Sequence, residues 1–134
     1  MALRCLIVDD NPGFLRAASA LLDQEGLRVV GVASTSDEAI ARAADLHPDV
    51  TLIDIDLDGD SGFEVARRLV GAPGHDPGHM ILISAHGEDD FVDLIEASPA
   101  IGFVGKPALS ARAIEGLIRA AGEGHDEAGG TDGR

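Results

Sequence analysis

The sequence predicts an α/β fold: a doubly wound, five-stranded parallel sheet of order 2-1-3-4-5, with five helices in three layers. Three observations carry that prediction. Short apolar runs alternate five times with stretches of helical period. The runs are apolar on both faces, as in parallel strands covered from both sides. The connections are short, and right-handed crossovers then leave a doubly wound sandwich. At 134 residues the chain is one domain, able to bury about two-thirds of its unfolded surface. The domain is expected over 1–121, with 122–134 as a disordered acidic tail.

The elements follow in order. A strand over Leu3–Val8 precedes a helix whose Phe14, Ala17, Ala18, Leu21 and Leu22 fall on one face, with Gly26 as its stop. A second strand, Arg28–Ala33, leads to a helix opened by the capping box Thr35 to Glu38 and faced with Ala39, Ile40, Ala43 and Ala44. The third strand is Val50–Ile53, and Val65, Ala66, Leu69 and Val70 stripe the helix that ends at Gly71. After a Pro/Gly-rich loop over 71–79, strand Met80–Ile83 precedes a helix carrying Phe91, Val92, Leu94 and Ile95. The last pair is Ile101–Val104 and a helix capped by Ser110, with Ala113, Ile114, Leu117, Ile118 and Ala121 inward and Gly122 as stop.

Composition narrows the function. Apolar residues make up 45% of the chain, an ordinary globular fraction, and no run approaches the roughly 20 residues of a membrane span. The N-terminus reads as strand rather than signal peptide, so a cytoplasmic protein is expected. A net charge of −14 disfavours direct nucleic-acid binding and suits basic patches on protein partners. Cys5 alone can build neither a disulfide nor a thiolate metal site, and packs as a small hydrophobe.

Polar residues stand where the apolar runs stop: Asp9 and Asp10, Asp54, Ser84 and Lys106. Lys106 is the only lysine beside nine arginines. In the predicted order, ligands bind at the switch point between strands 1 and 3, which end in Asp9-Asp10 and Asp54. Carboxylates crowded to ~4 Å in a partly buried site repel strongly, so they persist with a bound cation or with one of them protonated. Oxygen ligands without His or Cys point to Mg²⁺, which leaves positions for phosphate oxygens. Asp54 is the candidate nucleophile, because a carboxylate can attack phosphorus to give an acyl phosphate. Lys106 and Mg²⁺ would neutralise the phosphoryl oxygens, and the Ser84 hydroxyl would donate to one of them. Taken singly, each residue also reads as a solvated acid, a surface lysine or a turn serine; taken together they read as a site.

With those residues the chain resembles the receiver domain of a two-component response regulator, over residues 3–121, a flavodoxin-like, chemotaxis-receiver-like module. The family's acidic pair falls on Asp9 and Asp10, its phosphoacceptor on Asp54, its switch hydroxyl on Ser84 and its Lys-Pro on Lys106-Pro107. Phe103 matches the aromatic switch position. The resemblance implies that a histidine kinase or histidine phosphotransfer protein phosphorylates Asp54. It implies Mg²⁺ on Asp10, Asp54 and the backbone carbonyl of Asp56, with Asp9 acting through water. Phosphorylation would then draw Ser84 inward, Phe103 would follow, and the surface of the fourth helix, fifth strand and fifth helix would repack for a downstream protein target. The module would be a signalling domain rather than an enzyme, a monomer or a phosphorylation-dependent dimer.

Several positions depart from the family pattern. Asp58 stands where proline is common, giving a loop with Asp56, Asp58 and Asp60. These acids read either as solvated or, for Asp56, as a charge that repels anionic phosphodonors. His86, two residues past Ser84, sits at the rim as an exposed loop histidine or an influence on hydrolytic water. Phe103 has no hydroxyl, so its switch reports through packing alone. His75 and His79 resemble a metal clip, but their Pro/Gly setting favours solvated side chains. An alternative of another class is a haloacid-dehalogenase-like aspartyl-phosphate phosphatase, whose nucleophile motif Asp54-Ile55-Asp56 mimics. That family places its acidic pair last, whereas here Asp9-Asp10 comes first. A Rossmann dinucleotide site lacks its glycine fingerprint. A stand-alone regulator is expected, with the receiver half of a DNA-binding regulator as the alternative.

Overall fold

A computed structural model describes residues 2–57, 59–71 and 78–130. In chain order these form β1 (Arg4–Val8), α1 (Pro12–Gln24), β2 (Arg28–Ala33), α2 (Ser36–Leu46), β3 (Val50–Asp54), β4 (Asp56–Leu57), β5 (Asp60–Ser61) and α3 (Gly62–Gly71). Then come β6 (His79–Ser84), a 3-10 turn (Glu88–Phe91), α4 (Val92–Ala97), β7 (Gly102–Gly105), a second 3-10 turn (Lys106–Ala108) and α5 (Ala111–Gly130).

Five strands pair in parallel in the order β2-β1-β3-β6-β7. Counting only these strands, that is the predicted 2-1-3-4-5. The pleat explains why the runs carry no alternation. Leu6, Val8, Ile53 and Leu82 join Ala39, Ala43, Phe63, Ala66 and Leu69 of α2 and α3 in one core layer. Cys5, Ile7, Leu52, Ile81 and Ile83 join Ala18, Leu22 and Ile114 of α1 and α5 in the other. Both faces are covered, so both must be apolar, and each fully buried Leu or Ile contributes about 1.5–3 kcal/mol. Burial also pushes the Cys5 thiol up to about 12, as suits a packing residue.

Local signals set the helix ends. Asn11 Oδ1 accepts from the Phe14 amide at 3.1 Å to cap α1, and Gly26 leaves it at φ 101°. Thr35 Oγ1 accepts from the Glu38 amide at 3.1 Å. The return half of the box shifts by one residue, because the Glu38 carboxylate takes the Ser34 amide at 2.7 Å. Ser110 caps α5 through the Ala113 amide at 3.0 Å.

Three expectations change. Helix α5 runs past Gly122, the expected stop, to Gly130. Glycine costs about 1 kcal/mol against alanine in a helix, but no proline blocks the turn. Residues 131–134 lie outside the described residues. Second, Val70 and Leu94 are 56% and 51% exposed rather than inward. Helix α4 has only six residues after a 3-10 turn, so Phe91 and Ile95 reach the core while Val92 and Leu94 turn outward. Third, the antiparallel ribbon of β4 and β5 was not foreseen, since two-residue strands are too short for a periodic signal.

Candidate functional site

β1 and β3 are adjacent and parallel, so their carboxyl ends lie side by side. This puts one carboxylate oxygen from each of Asp9, Asp10 and Asp54 within 4.8 Å of one another. Asp9 is wholly buried and Asp54 is 4% exposed, while Asp10 stands partly in solvent. β7 ends at Gly105 beside Ser84 of β6, and the following 3-10 turn sends Lys106 back over the cluster. Its ammonium lies 2.7 Å from Asp9 Oδ2 and 3.4 Å from Asp54 Oδ2. Burial alone would lower the Lys106 pKa; the contact with Asp9 and the charge of Asp54 outweigh it and raise it. Lys106 is therefore a fixed cation.

The acids are not fully compensated. Asp9 Oδ1 accepts from the Asn11 amide at 2.9 Å. Asp9 Oδ2 has only the ion-pair contact with Lys106, without hydrogen-bond alignment, and is otherwise a buried oxygen lacking a hydrogen-bond partner. Burial first, and then the charge of Asp9, push the Asp54 carboxyl up from 3.8 to about 6, against the pull of Lys106 and of the Asp56 amide. Three carboxylates sharing one ammonium, one of them resisting ionisation, are what an oxygen-binding divalent cation would relieve. The donor set fits Mg²⁺.

The other predicted residues take definite places. The Asp56 amide donates to Asp54 Oδ1 at 3.3 Å, and its side chain points to solvent, 3.9 Å from His86 Nε2. Ser84 is buried, and its Oγ accepts from the His86 amide at 2.9 Å. Phe103 is half-buried against the α2–α3–α4 core layer and also lines a groove of about 350 Å³ with Val104, Ala108, Ala113 and Leu117. His79 is exposed at the start of β6. Asp58 and His75 lie outside the described residues.

Two contributors were missed in the sequence. A Cβ on Gly62 would run into the backbone carbonyl of Asp54, and the Gly62 amide donates to Ile55 O at 2.7 Å. That glycine lets α3 start directly against the end of β3; its only sequence signal is a glycine after Asp60-Ser61. Phe14 was assigned to the core stripe, yet Lys106 Nζ sits 4.4 Å from its ring centroid.

Comparison with known proteins identifies the family. The response regulator receiver domain family matches residues 5–118. The response regulator GacA of Pseudomonas viridiflava is 30% identical over 116 residues, covering 86% of this chain and 53% of the relative. The transcriptional regulatory protein LiaR of Bacillus subtilis is 32% identical over 123 residues, covering 91% of this chain and 57% of that one. This chain thus spans about half the length of these curated relatives. Among solved structures, a LuxR-family two-component response regulator from an Aurantimonas species superposes with a TM-score of 0.79 at 26% identity, covering 90% of this chain and 87% of that one. The chain belongs to the response regulator receiver domain family, and the phosphatase alternative is set aside.

Proposed function

We propose that this receiver domain accepts a phosphoryl group on Asp54 from a phosphohistidine of a kinase or phosphotransfer protein, in a Mg²⁺-dependent reaction. The observation that carries the reading is the convergence of Asp9, Asp10, Asp54 and Lys106 on one point at the carboxyl edge of the sheet.

The chain's own groups divide the work. An Asp54 carboxylate oxygen bonds to phosphorus while the P–N bond to the donor imidazole breaks, and the imidazole leaves with the electron pair. Lys106 is already within reach of Asp54 Oδ2, so it needs little reorganisation to neutralise charge on the transferred group. Ser84 Oγ uses a lone pair on the His86 amide, which leaves its O–H free to donate to a phosphoryl oxygen. Asp10, Asp54 and the backbone carbonyl of Asp56 would hold Mg²⁺, which when bound supplies further charge neutralisation. Asp56 carries its charge outward beside His86, at the entrance to Asp54, a position suited to discriminating against small anionic donors.

The phosphorylated state would be read through Ser84 and Phe103 by a protein partner at the face of α4, β7 and α5. The partly exposed Phe103 and the adjoining groove support that choice of face. Curated relatives carry this module in chains about twice as long, so the function is proposed for the module. The test is incubation with acetyl phosphate and Mg²⁺, followed by intact-mass measurement. Wild type gains one phosphoryl group and Asp54→Asn gains none; equal gain by both removes the proposal. Capture of a partner only in the presence of beryllofluoride then identifies the reader of the switch.

A further inference from the structure

Lys106 is held from three sides, and only two of them are charged. Its ammonium meets Asp9 Oδ2 at 2.7 Å, Asp54 Oδ2 at 3.4 Å and the ring of Phe14 at 4.4 Å from the centroid. We infer that Phe14 is a positioning residue for phosphoryl transfer, its ring face holding the Lys106 ammonium beside Asp54. The inference rests on the reading of Lys106 as the cation that serves that carboxylate.

The physical need is plain. A lysine ends in a compact charge on a flexible four-carbon stem, so its charge is fixed easily and its direction is not. Asp9 is the nearer carboxylate, so the two acids alone would draw the ammonium towards Asp9 rather than hold it beside Asp54. An aromatic face within about 6 Å of a cation attracts it through the ring quadrupole, more strongly when the pair is partly dry. The Lys106 side chain is 18% exposed, so the contact sits in that stronger regime.

Phe14 is itself tied to the cluster. Asn11 Oδ1 accepts from the Phe14 amide at 3.1 Å, while the Asn11 amide donates to Asp9 Oδ1 at 2.9 Å. One residue therefore sets both the ring and the buried carboxylate between which the ammonium lies. The ring also packs against the α1–α5 core layer. An aliphatic side chain there would keep that packing and lose the quadrupole.

Because Lys106 is the only lysine, its Cε protons are one identifiable NMR signal in chain labelled at lysine. The test compares that signal, and the rate of phosphoryl uptake from acetyl phosphate with Mg²⁺, in wild type, Phe14→Leu, Phe14→Tyr and Phe14→Trp. In wild type the ring current places the signal upfield of free lysine. Phe14→Leu is expected to return it to the free-lysine position and to slow uptake roughly threefold to thirtyfold. Phe14→Tyr and Phe14→Trp keep both the shift and the rate. The inference is overturned if Phe14→Leu retains the wild-type rate, or if all three variants lose it equally, which would make the role one of packing. If wild type takes up no phosphoryl group on Asp54, the proposed function fails and takes the role of Phe14 with it. The upfield lysine signal would then still report the contact.

Discussion

The two ends of the sheet treat charge in opposite ways. At the amino edge every charge named has a matched partner. The Arg4 guanidinium donates to Leu46 O at 2.6 Å and His47 O at 2.9 Å, closing the carboxyl end of α2 where His47 turns to φ 46°. The Arg4 amide donates to Asp49 Oδ2 at 2.8 Å, and the Asp49 amide returns a bond to Arg4 O at 2.8 Å. A cation on helix carbonyls and a carboxylate on a free amide are both favourable placements. At the carboxyl edge three carboxylates share one ammonium, and a buried oxygen lacks a hydrogen-bond partner. One edge is compensated within the fold, and the other carries more negative charge than its one ammonium neutralises.

The sharpest way to break this contrast is to remove one cation from each edge. Lys106→Met leaves Asp9 and Asp54 buried without a counter-charge, and in the absence of Mg²⁺ is expected to cost about 3–5 kcal/mol. Arg4→Met loses two hydrogen bonds to carbonyls that water can reach, and is expected to cost about 1–2 kcal/mol. Urea unfolding at pH 7 measures both. Equal losses would mean that the two edges are not electrostatically different.

The second prediction uses the acid side of the same cluster. Asp54 has its carboxyl pushed from 3.8 to about 6 in the folded chain. The unfolded chain therefore loses this proton first as pH rises, and the folded state is penalised progressively between about pH 4 and 6. The displacement of about two units corresponds to about 3 kcal/mol above pH 6. Asp54→Asn should stabilise the metal-free protein by about that amount at pH 7 and by nothing below pH 4. Mg²⁺ should recover much of the penalty in wild type and little in the variant. A gain from Asp54→Asn that is flat from pH 4 to 8 would show that ionisation is not its source.

How far the sequence foretold this arrangement depends on the range of the cause. The strands were legible because burial on both faces demands runs such as Ile81–Ile83, and the sheet order followed from short crossovers. The site was legible because its acids, hydroxyl and lysine all sit at strand ends, where parallel pairing must bring them together. Phe14 was hidden because its helical spacing is the same for a core residue and for a ring beneath an ammonium. Gly62 was hidden because its reason is a close approach to Asp54 O, a tertiary fact. The course of α5 past Gly122 was not foreseen because that glycine was read as a stop, although no proline in 122–130 forbids the next turn.

The smallest expected effect tests whether the edges are separable. Asp49→Ala removes the acceptor of the Arg4 amide at an exposed position. The amide can then bond to water, so the expected loss is about 1 kcal/mol, below the usual range for a hydrogen bond to a charged group. Asp49 stands just before the start of β3, five residues of extended chain from Asp54, where salt screens the charge strongly. Phosphoryl uptake from acetyl phosphate should therefore match wild type when measured well below the melting temperature. A change in that rate beyond twofold would show that β3 transmits strain from its amino end to Asp54, and that stability and reactivity in this sheet are one property.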